Sequence, residues 1–247
     1  MRGKIALISG GGRGIGAATS KLLAKRGARV VVNFAKDAAA AEKVVQDIRE
    51  DGGEAIAIQA DVCNPDDIGR MFNQVKERWG SPEILVSNAN MRFVMASFAD
   101  MAWDDFSDKL NSELKAAFLI TKAVTPGMIE KGYGRIVYIA SGLGRHPRPG
   151  FIAHGTAKAG LIQFAKYIAQ EYGPHGIVAN VISPGLVLTD ATKFMPEEHI
   201  KRTAAMTPIG RVASPEDIAG AIAMYASDDA KFVSGVYVPV NGGAEMD

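Results

Sequence analysis

Three residues at helical spacing mark a place where chemistry could occur: Phe151, His154 and Lys158. They are spaced three and four positions apart, so a helix presents all three on one face. The positive charge of Lys158 disfavours imidazolium, and the pKa of His154 should therefore fall below its ordinary value of about 6.5. A neutral imidazole still donates one N–H and can accept a proton, although it is a poor acid. This face could therefore polarise a substrate oxygen or serve as a base.

Short apolar runs alternate with longer segments of helical periodicity, and these elements must position that face. The predicted strands are 4–9, 28–34, 54–60, 83–89, 134–141, 176–183 and 235–240. The predicted helices are 14–27, 37–51, 65–79, 103–131 (broken or bent near Pro126), 153–172 and 214–227. Such alternation predicts an α/β fold with a single Rossmann-type, doubly wound parallel sheet of about seven strands and helices on both faces. Residues 1–247 should form one domain, in which 184–213 is long enough to be a substrate lid.

Bulk composition excludes several function classes. The net charge is +1, which gives no electrostatic reason to bind nucleic acid or an anionic membrane surface. Cys63 is the only cysteine, so no internal disulfide can form. The histidines show no ligand spacing with carboxylates, which predicts no metal site. With no signal-like segment and no apolar run of membrane-spanning length, we expect a cytoplasmic protein.

A glycine-rich turn, SGGGRGIG at 9–16, follows the first predicted strand and opens the first helix. Glycine lets the backbone approach a pyrophosphate, and the helix N-terminus offers free N–H groups. In the first βα turn of a βαβ unit, this pattern predicts a dinucleotide site. Its predicted contacts are Gly10, Gly12, Arg13, Gly14, Ile15 and Gly16.

The end of the second strand indicates which dinucleotide binds. Enzymes that select NAD usually place a carboxylate there to bind the ribose 2′-hydroxyl. Asn33 and Phe34 occupy this position instead, while Arg13 and Lys36 lie close by in sequence. Two cations and no carboxylate favour a 2′-phosphate, so we expect NADPH, with Asn33 among its contacts.

From about residue 3 to residue 243, the chain resembles the short-chain dehydrogenase/reductase family. The glycine turn resembles the family's Thr-Gly-xxx-Gly-x-Gly, and SNAN (87–90) resembles Asn-Asn-Ala-Gly with Ser87 and Asn90 as replacements. Elsewhere the chain resembles 3-oxoacyl-acyl-carrier-protein reductases and the third type of enoyl-acyl-carrier-protein reductase. The resemblance implies cofactor contacts at Asp61, Val62, Asn88, Ala89, Lys158, Pro184, Gly185, Val187 and Thr189.

The same resemblance assigns catalytic positions and exposes a replacement. Ser141 falls at the catalytic serine and Asn111 at the structural-catalytic asparagine, which would hold Lys158 in a hydrogen-bond relay. The family tyrosine belongs thirteen positions after the serine, where this chain has His154. The alternative tyrosine of the third enoyl reductase type falls on Phe151. Both tyrosine positions are therefore filled by other residues.

These residues leave three functions open. The first is an NADPH-dependent reductase that transfers hydride to a carbonyl or conjugated enoyl group of an acyl thioester or polyketide-like ketone, with Ser141 and His154 polarising the substrate oxygen. The second is a redox-neutral cyclase, isomerase or dehydratase with His154 as base. The third is a non-catalytic cofactor-binding subunit. The basic loop 145–149 could meet a carrier-protein-bound substrate, and the resemblance implies a homotetramer built on helices 103–131 and 153–172 and the last strand.

Overall fold

The computed structural model describes residues 1–190, 192 and 194–246, whose strands form one parallel sheet. The strands are β1 (Ile5–Ile8), β2 (Arg29–Phe34), β3 (Glu54–Gln59), β4 (Ile84–Ser87), β5 (Gly134–Ile139), β6 (Ile177–Pro184) and β7 (Tyr237–Val240). Their order across the sheet is β3-β2-β1-β4-β5-β6-β7, and each neighbouring pair is parallel. The predicted fold class is confirmed.

Helices cover both faces of the sheet. They are α1 (Gly14–Lys25), α2 (Ala38–Glu50), α3 (Pro65–Arg78), α4 (Trp103–Lys131), α5 (Ile152–Tyr172), α6 (Glu197–Met206) and α7 (Pro215–Tyr225). One buried apolar cluster lies between the sheet and α3, α4 and α5, and a second lies between the sheet and α1, α2 and α7. Because both faces are covered, β1 and β5 are buried along their whole length rather than at alternate residues.

Helix α4 departs from the sequence expectation, since it runs uninterrupted through Pro126. A proline inside a helix cannot donate to the carbonyl four residues earlier, which here belongs to Lys122. The hydroxyl of Thr125 donates to that carbonyl oxygen at 3.5 Å. A neighbouring side chain thus replaces the missing backbone donor. A break at Pro126 was therefore wrong, while the alternative of a bend there stays a prediction.

The segment 184–213 contains helix α6, which the sequence did not indicate. Its described side chains are at most partly buried, so α6 contributes none of them to the two buried apolar clusters. Two signals do mark its start, since Pro196 precedes it and Glu197 and Glu198 fill its first turn. The role of this segment as a lid stays a prediction. In the part of the chain that the structure describes, no helix is long and apolar enough to cross a membrane.

Candidate active site

The glycine-rich turn lies between β1 and β4, where the order of strands in the sheet changes direction. Ligands of open α/β sheets bind in the crevice at such a point. Gly10 has a φ of 61°, which favours glycine, and a side chain on Gly16 would overlap the carbonyl oxygen of Gly10. No side chain caps α1 at Arg13, which leaves the N–H groups of its first turn for a phosphate. This cradle fits a dinucleotide, and it holds the predicted contacts Gly12, Gly14 and Ile15.

Hydrogen bonds join the glycine turn to the end of β4. The hydroxyl oxygen of Ser9 accepts from the backbone N–H groups of Asn88 and Ala89, at 2.9 and 3.0 Å. The side-chain amide of Asn88 donates to the carbonyls of Ser9 and Gly10, at 3.0 and 3.2 Å. Asn88 and Ala89 therefore fix the shape of the turn on the cofactor's side of the sheet.

Asn33 does not point toward the cofactor position, which corrects the sequence prediction. Its side chain is 1% exposed, and its amide donates to the carbonyl oxygens of Ala60 at 3.0 Å and Ile58 at 3.4 Å. Its own backbone carbonyl accepts from Gly11 at 2.9 Å. Asn33 thus ties β2 to β3 and supports the glycine turn from below. The sequence correctly predicted Asn33 near the end of β2, but contacts with the end of β3 hold its amide inward.

The remaining adenine-side residues lie at the carboxyl edge of the sheet. Arg13 is exposed and its guanidinium lies 3.5 Å from the carboxylate of Asp37, the N-cap of α2. Asp61 is exposed and accepts from the N–H of Cys63, while the side chain of Val62 is buried in the core. This edge carries Asp61 and Val62, two of the cofactor contacts that the family resemblance implies, beside Arg13.

The segment after β6 lies against the glycine turn. The N–H of Gly185, which follows Pro184, donates to Val240 at 3.1 Å, and Val187 forms a β-bridge with Ala213. A side chain built on Gly14 would lie 3.2 Å from a methyl carbon of Thr189. The resemblance implies cofactor contacts at Pro184, Gly185, Val187 and Thr189, and this segment does lie beside the same crevice.

Ser141 stands just beyond β5 and caps a short 3-10 turn, Gly142–Gly144. Its hydroxyl oxygen accepts from the N–H of Leu143 at 3.3 Å, so the hydroxyl hydrogen is left to donate elsewhere. The turn packs against α5, because a side chain on Gly155 would lie 2.7 Å from the carbonyl oxygen of Leu143. Ser141 is thereby held beside the part of α5 that carries His154.

His154 is buried and stacked. Its ring lies 4.4 Å from the ring of Phe93, at an interplanar angle of 28°, and Phe151 lies beyond Phe93 at 6.1 Å. Burial, followed by the charges of Lys158 and Lys109, lowers the pKa of His154 to about 4. The direction is the one expected from the sequence, although burial contributes more than the lysine charge. Nδ1 of His154 is buried with no hydrogen-bond partner among the described residues.

Lys158 is paired with Glu113 and not with Asn111, which corrects the predicted relay. Its ammonium donates to a carboxylate oxygen of Glu113 at 2.6 Å and to the carbonyl oxygen of Ile139 at 2.8 Å. Asn111 is exposed on α4. Two positions along a helix correspond to a rotation of about 200°, so Asn111 and Glu113 face opposite ways. The other oxygen of Glu113 accepts from Lys109 at 2.5 Å.

Comparison with known proteins identifies this architecture. A family model described as Enoyl-(Acyl carrier protein) reductase matches residues 10–245. The chain belongs to the short-chain dehydrogenase/reductase family. It is 36% identical over 247 residues to a 3-oxoacyl-[acyl-carrier-protein] reductase of Synechocystis, covering 100% of this chain and 98% of the relative. The corresponding protein of Vibrio cholerae is 35% identical over 249 residues, covering 100% and 99%.

Solved structures of the short-chain dehydrogenase/reductase family agree with this assignment. A short chain dehydrogenase from Burkholderia cenocepacia in complex with NADP superimposes with a TM-score of 0.89 at 33% identity, covering 99% of each chain. A variant of a Serratia marcescens short-chain dehydrogenase/reductase gives a TM-score of 0.91 at 31% identity, also over 99% of each chain. The resemblance to this family is confirmed, and the chain is an NAD(P)-dependent oxidoreductase of the family.

The candidate active site also contains three residues that the sequence did not point to: Glu113, Lys109 and Phe93. Glu113 and Lys109 are four positions apart on α4, and Glu113 shares its helix face with the buried Ala116 and Ala117. A charged residue on an apolar face was the available signal, since such a group is buried only when it has a partner. Phe93 lies in the irregular segment 88–102, where no periodicity marks which side chain turns inward.

Proposed function

We propose that the protein is an NADPH-dependent reductase that transfers hydride to a conjugated enoyl or carbonyl group of an acyl thioester or polyketide-like ketone. The observation that carries this proposal is a neutral, buried His154 in the donor position. It stands one turn before Lys158 on α5, and the turn capped by Ser141 packs against the same part of the helix. Hydride comes from the reduced nicotinamide when the cofactor is bound.

Neutral His154 favours a conjugated enoyl substrate over a simple ketone. A ketone oxygen needs a full proton as the alcohol forms. In an enoyl thioester the proton goes to carbon, and the enolate oxygen needs mainly hydrogen-bond donors. The hydroxyl of Ser141 and the imidazole N–H of His154 are such donors. With its pKa near 4, His154 is largely neutral at pH 7 and has little proton to give.

Arg13 and Lys36 support NADPH over NADH. Arg13 lies in the glycine turn and pairs with Asp37, but both side chains are well exposed, so their ion pair is weak. A 2′-phosphate could take over Arg13 with a charge-assisted hydrogen bond. The relative solved in complex with NADP supports the same cofactor class.

The test is NADPH oxidation from pH 5 to pH 8 with enoyl thioesters, 3-oxoacyl thioesters and ketones, for wild type, His154→Phe and His154→Tyr. If neutral His154 acts as hydrogen-bond donor, enoyl reduction in the wild type is level between pH 6 and pH 8 and falls about tenfold or more in His154→Phe. If imidazolium were the acid, the rate would fall roughly tenfold per pH unit. No turnover with any member of the panel would overturn the proposal.

A second candidate function is a redox-neutral isomerisation, cyclisation or dehydration with His154 as base. The observation that favours it is the neutral imidazole of His154, because one of the two ring nitrogens of a neutral imidazole carries no hydrogen and can accept a proton. This function predicts product without net NADPH consumption. Activity that appears only in His154→Tyr would also point here, or to a non-catalytic cofactor-binding subunit, because redox chemistry would then have been lost with the tyrosine.

We also propose a homotetramer and a thioester carried on an acyl carrier. Large apolar side chains are exposed on α4 and α5, where the tetramer interface is expected: Phe118, Ile152 and Tyr167 are 49%, 36% and 59% exposed. A light-scattering mass equal to that of one chain would contradict the tetramer.

The loop 145–149 is where an acyl carrier would meet this protein. There, Arg145 stacks on Tyr237 and Arg148 pairs with Glu245, so a carrier would have to compete with these contacts.

A further inference from the structure

The active-site lysine, Lys158, belongs to a buried chain of three charged side chains. Glu113 is bound by Lys109 through one carboxylate oxygen and by Lys158 through the other, at 2.5 and 2.6 Å. The side chains of Lys109, Glu113 and Lys158 are 0%, 4% and 4% exposed. Ions so deeply buried are stable only when they are paired and fully hydrogen-bonded. The cluster carries a net charge of +1 beside the neutral His154.

Counting donors separates the roles of the two lysines. An ammonium has three hydrogens to donate. Those of Lys109 are all taken, by Glu113, by the side-chain oxygen of Asn90 at 3.1 Å and by the carbonyl oxygen of Met91 at 2.8 Å. Lys158 donates two of its hydrogens, to Glu113 and to Ile139. Among the described residues this leaves one hydrogen without an acceptor, and that hydrogen can bind a ligand. Lys109 therefore faces the protein, and Lys158 faces the cofactor.

We propose that Lys109 is a positioning residue for Lys158 and acts through Glu113, an inference that rests on the proposed binding of NADPH. Because each oxygen of Glu113 is held by a different lysine, the carboxylate cannot turn to chelate Lys158 with both oxygens. Lys158 thus keeps its third hydrogen for the ribose of the cofactor. Asn90 stands where the family has glycine, and it supplies a side-chain oxygen that glycine could not offer to Lys109.

Lys109 also connects this cluster to the substrate side of the site. It donates to Asn90 and Met91 in the segment that carries Phe93, and its ammonium lies 5.5 Å from the ring of Phe93. Phe93 in turn stacks on His154. The charged groups that act on His154 are Lys158 on its own helix and Lys109 and Glu113 on α4. Removing the charge of Lys109 should therefore raise the pKa of His154.

The test measures NADPH binding by cofactor fluorescence, with no substrate present. We expect Lys109→Met to weaken binding about tenfold, the worth of one charge-assisted hydrogen bond, and Lys109→Arg to weaken it less. Lys109→Met/Glu113→Gln leaves Lys158 without a counter-charge, as Glu113→Gln does, so the loss of Lys109 should weaken binding by less than about threefold beyond Glu113→Gln alone. The control is Lys115→Met, which removes an exposed lysine from the same helix and should leave binding unchanged.

A second readout is the pKa of His154 by NMR, which should rise in Lys109→Met and stay unchanged in Lys115→Met. Wild-type affinity in Lys109→Met would overturn the proposal, as would an affinity of Lys109→Arg no higher than that of Lys109→Met. If Lys109→Met does not fold, the double variant compared with Glu113→Gln decides: a further loss greater than about threefold is evidence against the role of Lys109 through Glu113. Failure of the wild type to bind NADPH would overturn the proposed cofactor and this inference together, whereas binding without turnover would count only against the proposed reaction.

Discussion

The two halves of the cleft are built in different ways. The cofactor half, around the glycine turn, keeps the family pattern and is held by backbone groups and short side chains such as Ser9 and Asn88. In the catalytic half, Asn90 and His154 stand where the family resemblance predicts other residues, and Glu113 makes the contact predicted for Asn111. The four side chains Asn90, Lys109, Glu113 and Lys158 form one hydrogen-bonded chain. The comparison teaches that local backbone contacts hold the glycine turn, whereas a connected chain of buried charged side chains holds Lys158.

The largest expected effect comes from a substitution in the catalytic half. Glu113→Ala leaves the ammonium groups of Lys109 and Lys158 buried without a counter-charge, which should lower the free energy of unfolding by about 3–5 kcal/mol. Asn111→Ala removes an exposed side chain from the same helix and should change it by less than about 0.5 kcal/mol. Urea denaturation at pH 7.5 measures both. Equal effects of the two variants would mean that the lysines are not held by Glu113.

The second-largest expected effect comes from a substitution in the glycine turn of the cofactor half. In Gly16→Ala the new methyl group would overlap the carbonyl oxygen of Gly10, so the turn must shift away from the phosphate position. We expect NADPH affinity to fall about a hundredfold or more, as measured by fluorescence titration. Gly69→Ala is the control, because no atom outside its own helix backbone lies within 4 Å of the new methyl group. Tight NADPH binding by Gly16→Ala would show that this turn is not the phosphate cradle.

A third prediction concerns how the stability of the protein depends on pH through His154 in the catalytic half. The pKa of His154 is about 4 in the folded chain, against about 6.5 when unfolded, so the unfolded state binds more protons between these values. Stability that is present above pH 6.5 should therefore be lost as the pH falls toward 4. Between pH 7.5 and pH 5, wild type should lose about 2 kcal/mol more than His154→Phe in urea denaturation. Parallel losses in the two proteins would contradict a neutral, buried imidazole.

The smallest expected effect concerns the choice between cofactors. Arg13→Ala should reduce the preference for NADPH over NADH about tenfold, because it removes one charge-assisted contact to the 2′-phosphate. Arg26→Ala is the matched control, since Arg26 is an exposed arginine at the opposite end of α1. The ratio of kcat/KM for the two cofactors measures the change. An unchanged ratio in Arg13→Ala would show that Arg13 does not contact the phosphate.

By itself, the sequence determined the order of the strands and of the α-helices other than α6, the glycine turn, and the shared helix face of His154 and Lys158. All of these follow from local periodicity or from residues close together in the chain. Only the tertiary structure decided that Lys158 meets Glu113 rather than Asn111, because that contact joins residues 45 positions apart and depends on how α4 is rotated against α5. The inward amide of Asn33 and the ring of Phe93 over His154 were decided in the same way, by packing between elements that no local pattern describes.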